Sequence, residues 1–167
     1  MITSKNQLKI HHRFVDYLYW NLFGAIHIIA AGTAILNHSI AWLICYIIIG
    51  ISLVVLVYRF YCSHCPHYGQ GGKTTKCMFF WGIPAFFKPR PGPLNPFEKA
   101  VSIISPIVWI LFPLYWLSLE PSLLVIYSLS LVVFVLAIIR NECCRCIYFH
   151  CPVNCVPEDI RSQLETR

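Results

Sequence analysis

Arg59-Phe-Tyr-Cys62-Ser-His-Cys65 and Arg140-Asn-Glu-Cys143-Cys-Arg-Cys146 both read R-x-x-C-x-x-C, and 81 positions separate Cys62 from Cys143. Two C-x-x-C pairs are the usual way a chain offers four sulfurs to one metal centre. Cysteines three apart share one face of a helix, so Cys62 and Cys65 can meet Cys143 and Cys146 in a tetrahedral sulfur site. Zinc accepts such a set at roughly 2.3 Å per Zn–S bond, and iron–sulfur clusters accept it too. A second constellation is Cys77, Cys144, Cys151 and Cys155, with His64, His67 and His150 as nitrogen alternates. The candidate ligands are therefore Cys62, Cys65, Cys77, Cys143, Cys144, Cys146, Cys151, Cys155 and His67, for one or two centres holding an iron–sulfur cluster or Zn2+. Arg59, Arg140 and Arg145 can favour thiolates by their charge or simply anchor helix ends at an interface.

Each motif begins where a long apolar run stops. Residues 17–36, 40–58, 100–119 and 123–139 carry no formal charge. About 20 such residues span the hydrocarbon of a bilayer at 1.5 Å rise per residue. The whole chain is 57% hydrophobic and only 12% charged, against roughly 25% charged for a soluble domain. Too little polar surface remains to cover a water-soluble fold. The expected fold is an all-α membrane protein of one domain, residues 1–167, with four transmembrane helices as two hairpins. Pro106 and Pro113 predict kinks in the third span.

Charge sets the expected orientation. Lys and Arg number three before the first span, six between the second and third, and four after the last. Both short turns have none. The positive-inside bias then places both termini and the long loop in the cytoplasm, with the protein integral to the plasma (inner) membrane. Segments 59–99 and 140–157 form a cysteine-rich cytoplasmic cap, and Cys45 alone lies within a span. Thiols facing a reducing compartment are expected to be free rather than disulfide-bonded. The layout of span, short turn, span and R-x-x-C-x-x-C occurs twice, which implies a parallel repeat about a pseudo-twofold axis near the membrane normal.

The loop's second half, Cys77 to Pro93, is aromatic and then proline-rich. It suits either the headgroup layer, with Lys88 and Arg90 towards lipid phosphates, or packing across the cytoplasmic end of the bundle. His27 lies mid-span, where an interhelical hydrogen bond to Thr33 or Ser52 is the expected role. No phosphate loop, nucleophile elbow or pair of catalytic carboxylates occurs, so enzymatic acid–base chemistry is not expected. The net charge of +6 needs only anionic lipid as a partner, not nucleic acid.

The leading expectation is a membrane protein holding cysteine-ligated metal at its cytoplasmic face and passing electrons between a soluble cytosolic redox partner and a membrane partner or quinone. A zinc-stapled structural or interaction protein is the alternative. The four-helix layout with the vicinal pair Cys143-Cys144 also resembles the bacterial mercury-uptake proteins, which implies soft-metal-ion transport. Those proteins carry thiols within a span, whereas this chain has only Cys45 there.

Overall fold

The structure, a computed structural model, describes residues 8–68, 74–158 and 160–161. The glycine-rich stretch, residues 69–72, and the basic residues Lys5, Lys73 and Arg167 lie outside them. The chain is mainly helical: α1 (Phe14–His38), α2 (Ile40–Phe60), α3 (Pro96–Leu111), α4 (Leu114–Leu119) and α5 (Pro121–Asn141). Four helical stretches, Phe14–His38, Ile40–His64, Pro96–Leu119 and Pro121–Arg145, are long and apolar enough to cross a membrane.

Two of these begin earlier than the uncharged runs predict. At α1 the Arg13 N–H donates to Asp16 Oδ2 at 2.8 Å, and at α3 the Asn95 N–H donates to Glu98 Oε2 at 2.9 Å. A carboxylate three residues into a helix satisfies an otherwise orphaned N–H and faces the positive end of the helix dipole. Charged residues therefore belong to the first turns. Ser39 alone joins α1 to α2. Of the two prolines, Pro106 is carried inside α3, whereas the break falls at Phe112-Pro113, where α4 starts afresh.

The packed core sits towards the short turns. Ala30, Ala31, Ala34 and Ile35 of α1 pack with Tyr46 of α2, Trp116 and Leu117 of α4, and Tyr127 of α5. Small residues on α1 let its neighbours approach closely. Tyr46 stacks on Trp109 with ring centroids 4.1 Å apart. Gly50 is required there, because a Cβ would overlap the Trp109 ring. Elsewhere α2 and α5 turn Ile44, Ile48, Ile51, Leu129, Val133 and Leu136 outward, a surface suited to hydrocarbon rather than water.

Two departures from the sequence expectations concern polar detail and strand content. Thr33 and Ser52 donate to Ile29 O and Ile48 O of their own helices, at 2.8 Å each. His27 instead packs edgewise among Phe134 and Tyr127, and its Nδ1 is buried without a hydrogen bond. The fold is also not purely helical, since β1 (Thr74–Lys76) and β2 (Trp81–Pro84) pair antiparallel. β-branched and aromatic residues favour that pairing. The turn between them, closed by Cys77 N–H on Phe80 O at 2.8 Å, carries Cys77.

Candidate functional site

The two motifs have the same local backbone. Each follows a helix and tightens into a 3₁₀ turn, Cys62–His64 in the first and Cys143–Arg145 in the second. The residue entering the turn has φ −110°, ψ −54° at Tyr61 and φ −112°, ψ −53° at Glu142. The residue leaving it has φ −72°, ψ 135° at Cys65 and φ −80°, ψ 134° at Cys146. In both, the second cysteine's N–H donates to the first cysteine's carbonyl, at 3.0 and 3.4 Å. A tightened last turn is a normal way to satisfy end carbonyls, and here it brings the sulfurs of each pair to the same side.

A buried carboxylate stands beside each turn. Glu98, 3% exposed, accepts from Arg90 Nη2 at 2.8 Å and lies 3.3 Å from His64 Nε2. That histidine contact is too poorly aligned to be a hydrogen bond, so Arg90 and the Asn95 N–H are the effective partners. Glu142, 6% exposed, accepts from Lys9 Nζ and Trp20 Nε1, both at 2.8 Å. His12 Nδ1 is 3.7 Å from its second oxygen. The Lys9 N–H also donates to Arg145 O at 2.7 Å, which lays the chain's start against the second motif. Sequence reasoning passed over both carboxylates. The available signal was positional, since Glu142 is the only acid inside either motif.

Apart from Cys45, the free thiols lie near one another. Tyr61 Oη and Cys151 Sγ are hydrogen-bonded at 2.9 Å, linking the end of α2 to the tail after α5. Burial pushes the Cys65 thiol up, and Cys77, Cys146 and Cys151 add to this, while the His67 N–H acts the other way. Cys77 is likewise raised by burial and opposed by the N–H groups of Phe79, Phe80 and Met78. At Cys146, burial is opposed by the Tyr148 N–H, which donates to the sulfur at 3.4 Å. Buried sulfurs met by backbone N–H donors are stabilised as thiolates once a cation compensates their burial.

Other candidates are placed differently. Cys144 and Cys155 are joined in a disulfide, contrary to the expectation of free thiols, and so are not thiolate donors in this state. The 11-residue separation and the fold of the tail bring them together. His67 is buried with its ring 4.6 Å from that of His12. The His12 imidazole is lowered to about 4, by burial first and then by His67 and Lys9. Cys143 is free and half-buried. Among the described residues, no three His, Cys, Asp or Glu side chains stand together closely enough to hold a metal ion.

The aromatic segment packs across the helix ends. Phe80 lies edgewise on Tyr58, Phe87 sits under the Arg59 guanidinium at 4.8 Å, and Asn21 Nδ2 donates to Met78 O at 3.2 Å. Arg90 turns to Glu98 rather than outward. An open cleft of about 380 Å³ lies beside Cys65, lined by His64, Pro66, Tyr68, Tyr148 and His150 among others. No protein-family model, curated protein or solved structure matches this chain.

Proposed function

We propose that the chain is an integral membrane protein that binds metal through thiolates at its cytoplasmic face and uses it to pass electrons. In this reading the helices form two hairpins related by a pseudo-twofold axis. The cysteine-bearing segments cap their cytoplasmic end, and both termini lie in the cytoplasm. One observation carries the proposal: Cys62, Cys65 and Cys77 share their surroundings with Cys146 and Cys151, and backbone N–H groups aim at three of these sulfurs. Soft sulfur donors with N–H support suit zinc or iron–sulfur ligation. Cys62, Cys65, Cys77 and Cys146 are the set we assign, with Cys151 and Cys143 as neighbours able to serve a second centre. Because those sulfurs do not yet converge, binding requires the two motifs to draw together. The cleft beside Cys65 would seat a quinone ring or the edge of a soluble redox partner.

Metal and acid-labile sulfide analysis of anaerobically purified protein tests this reading, together with its absorption spectrum. Iron with labile sulfide and a visible charge-transfer band is the expected result. Zinc alone would make the centre a structural clamp, because zinc has no redox chemistry. Absence of any bound metal would overturn the proposal. The orientation is tested separately with an impermeant thiol reagent on intact cells, which should spare Cys62, Cys65, Cys77, Cys143, Cys146 and Cys151. Rapid labelling from outside would reverse it.

A further inference from the structure

The Cys144–Cys155 disulfide stands among six other cysteines in segments 62–77 and 143–151, all of them free. A disulfide surrounded by thiols is an unusual resident of the face that carries the basic residues. Where disulfides persist in a reducing compartment, they are mostly catalytic or redox-sensing. Cys155 is exposed and Cys144 half-buried, so one of the two sulfurs is open to attack from solution. The bond also closes the loop that carries Cys146 and Cys151.

We propose that Cys144–Cys155 is an exchange-active disulfide, opened by small cellular thiols of the glutathione class, and that its state sets how many thiolates the second motif offers. A thiolate attacks the exposed Cys155 sulfur, the S–S bond breaks, and Cys144 leaves as a thiolate and takes up a proton. A second small thiol attacks the mixed disulfide on Cys155 and releases it. Two small thiols are oxidised to their disulfide as the protein gains two thiols, so electrons and protons balance. Opening the bond does not free the tail. Asn154 Nδ2 donates to Cys146 O at 2.9 Å and to Tyr148 O at 3.0 Å, and the Cys155 N–H donates to Cys143 O at 3.4 Å. The new thiols therefore stay beside Cys143 and Cys146, where they raise the thiol count from three to five across Cys143, Cys144, Cys146, Cys151 and Cys155. The effect on metal capacity rests on the metal-binding reading above, and the encounter with cellular thiols rests on the cytoplasmic orientation proposed there; exchange of the purified protein in glutathione buffer depends on neither.

The full chain in detergent is equilibrated anaerobically in glutathione buffers from fully oxidised to fully reduced, quenched in acid, alkylated and mapped by peptide mass. The Cys144 and Cys155 peptides should pass together from linked to alkylated within that range. A Cys144→Ser variant should collect glutathione on Cys155 at the oxidised end. A pair still linked at the most reducing ratio, or alkylated at the most oxidising one, would overturn the exchange. Zinc titration of the same samples separates the second claim. Greater zinc capacity at the reduced end supports it, and equal capacity at both ends, with the pair titrating, would overturn it. No zinc binding in either state would remove the metal reading and leave the exchange standing.

Discussion

The two R-x-x-C-x-x-C motifs fold alike and are held differently. Their backbone angles agree within 10° at both ends of the turn, although only three residues of the motif are shared in type. Local pattern therefore dictates local conformation: an apolar helix ends, its last turn tightens, and the pair of sulfurs shares a side. The supports are not local. The first motif depends on Glu98, brought by α3 from 33 positions beyond Cys65, with Arg90 reaching across from the loop. The second carries its own acid, Glu142, and draws Lys9, His12 and Trp20 from the start of the chain. A repeat in sequence here specifies the geometry of the turn and leaves its stabilisation to each surrounding.

That difference predicts unequal sensitivity. Glu142→Ala should have the largest effect, because it leaves Lys9, whose side chain is only 17% exposed, with Asp16 alone at 3.2 Å, and leaves Trp20 Nε1 without its acceptor. Losing the buried acceptor of Trp20 together with one of the two carboxylates on Lys9 costs about 2–4 kcal/mol, read as a lower unfolding midpoint in detergent. Glu98→Ala should cost less, about 1–3 kcal/mol, since the Arg90 side chain is 37% exposed and water can replace the lost carboxylate. Equal losses in the two variants would mean that the supports are equivalent after all. Gly50→Val sharpens the contrast from the other end of the bundle: overlap with Trp109 should destabilise by about 1–3 kcal/mol while metal content per folded protein stays unchanged. The smallest effect is expected at Cys45, exposed on α2 away from the motifs. Cys45→Ala should alter neither metal content nor stability measurably.

The half made of long apolar helices was legible in the sequence because its signal is compositional. Uninterrupted apolar length shows directly where a helix is long enough to cross a bilayer. Its boundaries were less so, as Asp16 and Glu98 look like the ends of helices until their capping geometry makes them the beginnings. In the cysteine-bearing segments, spacing singled out the thiols but could not distribute them. Cys144 and Cys155 pair because the tail folds back through Asn154 and the Cys143 carbonyl, contacts that no local pattern encodes. Tyr61, bonded to Cys151 across 90 positions, was invisible for the same reason. His27 was misread through a general rule about polar groups in membranes, when the decisive feature was the aromatic wall of Phe134 and Tyr127 beside it.

The central claim is that cysteines of both motifs serve one metal centre. Metal content of anaerobically purified Cys62→Ser, Cys146→Ser and the double variant tests it most directly. Ligands acting as a unit are non-additive, so each single change should remove most of the metal and the double should add little. If each single change removed half and the double removed all, the motifs would hold separate centres and the shared site would be wrong.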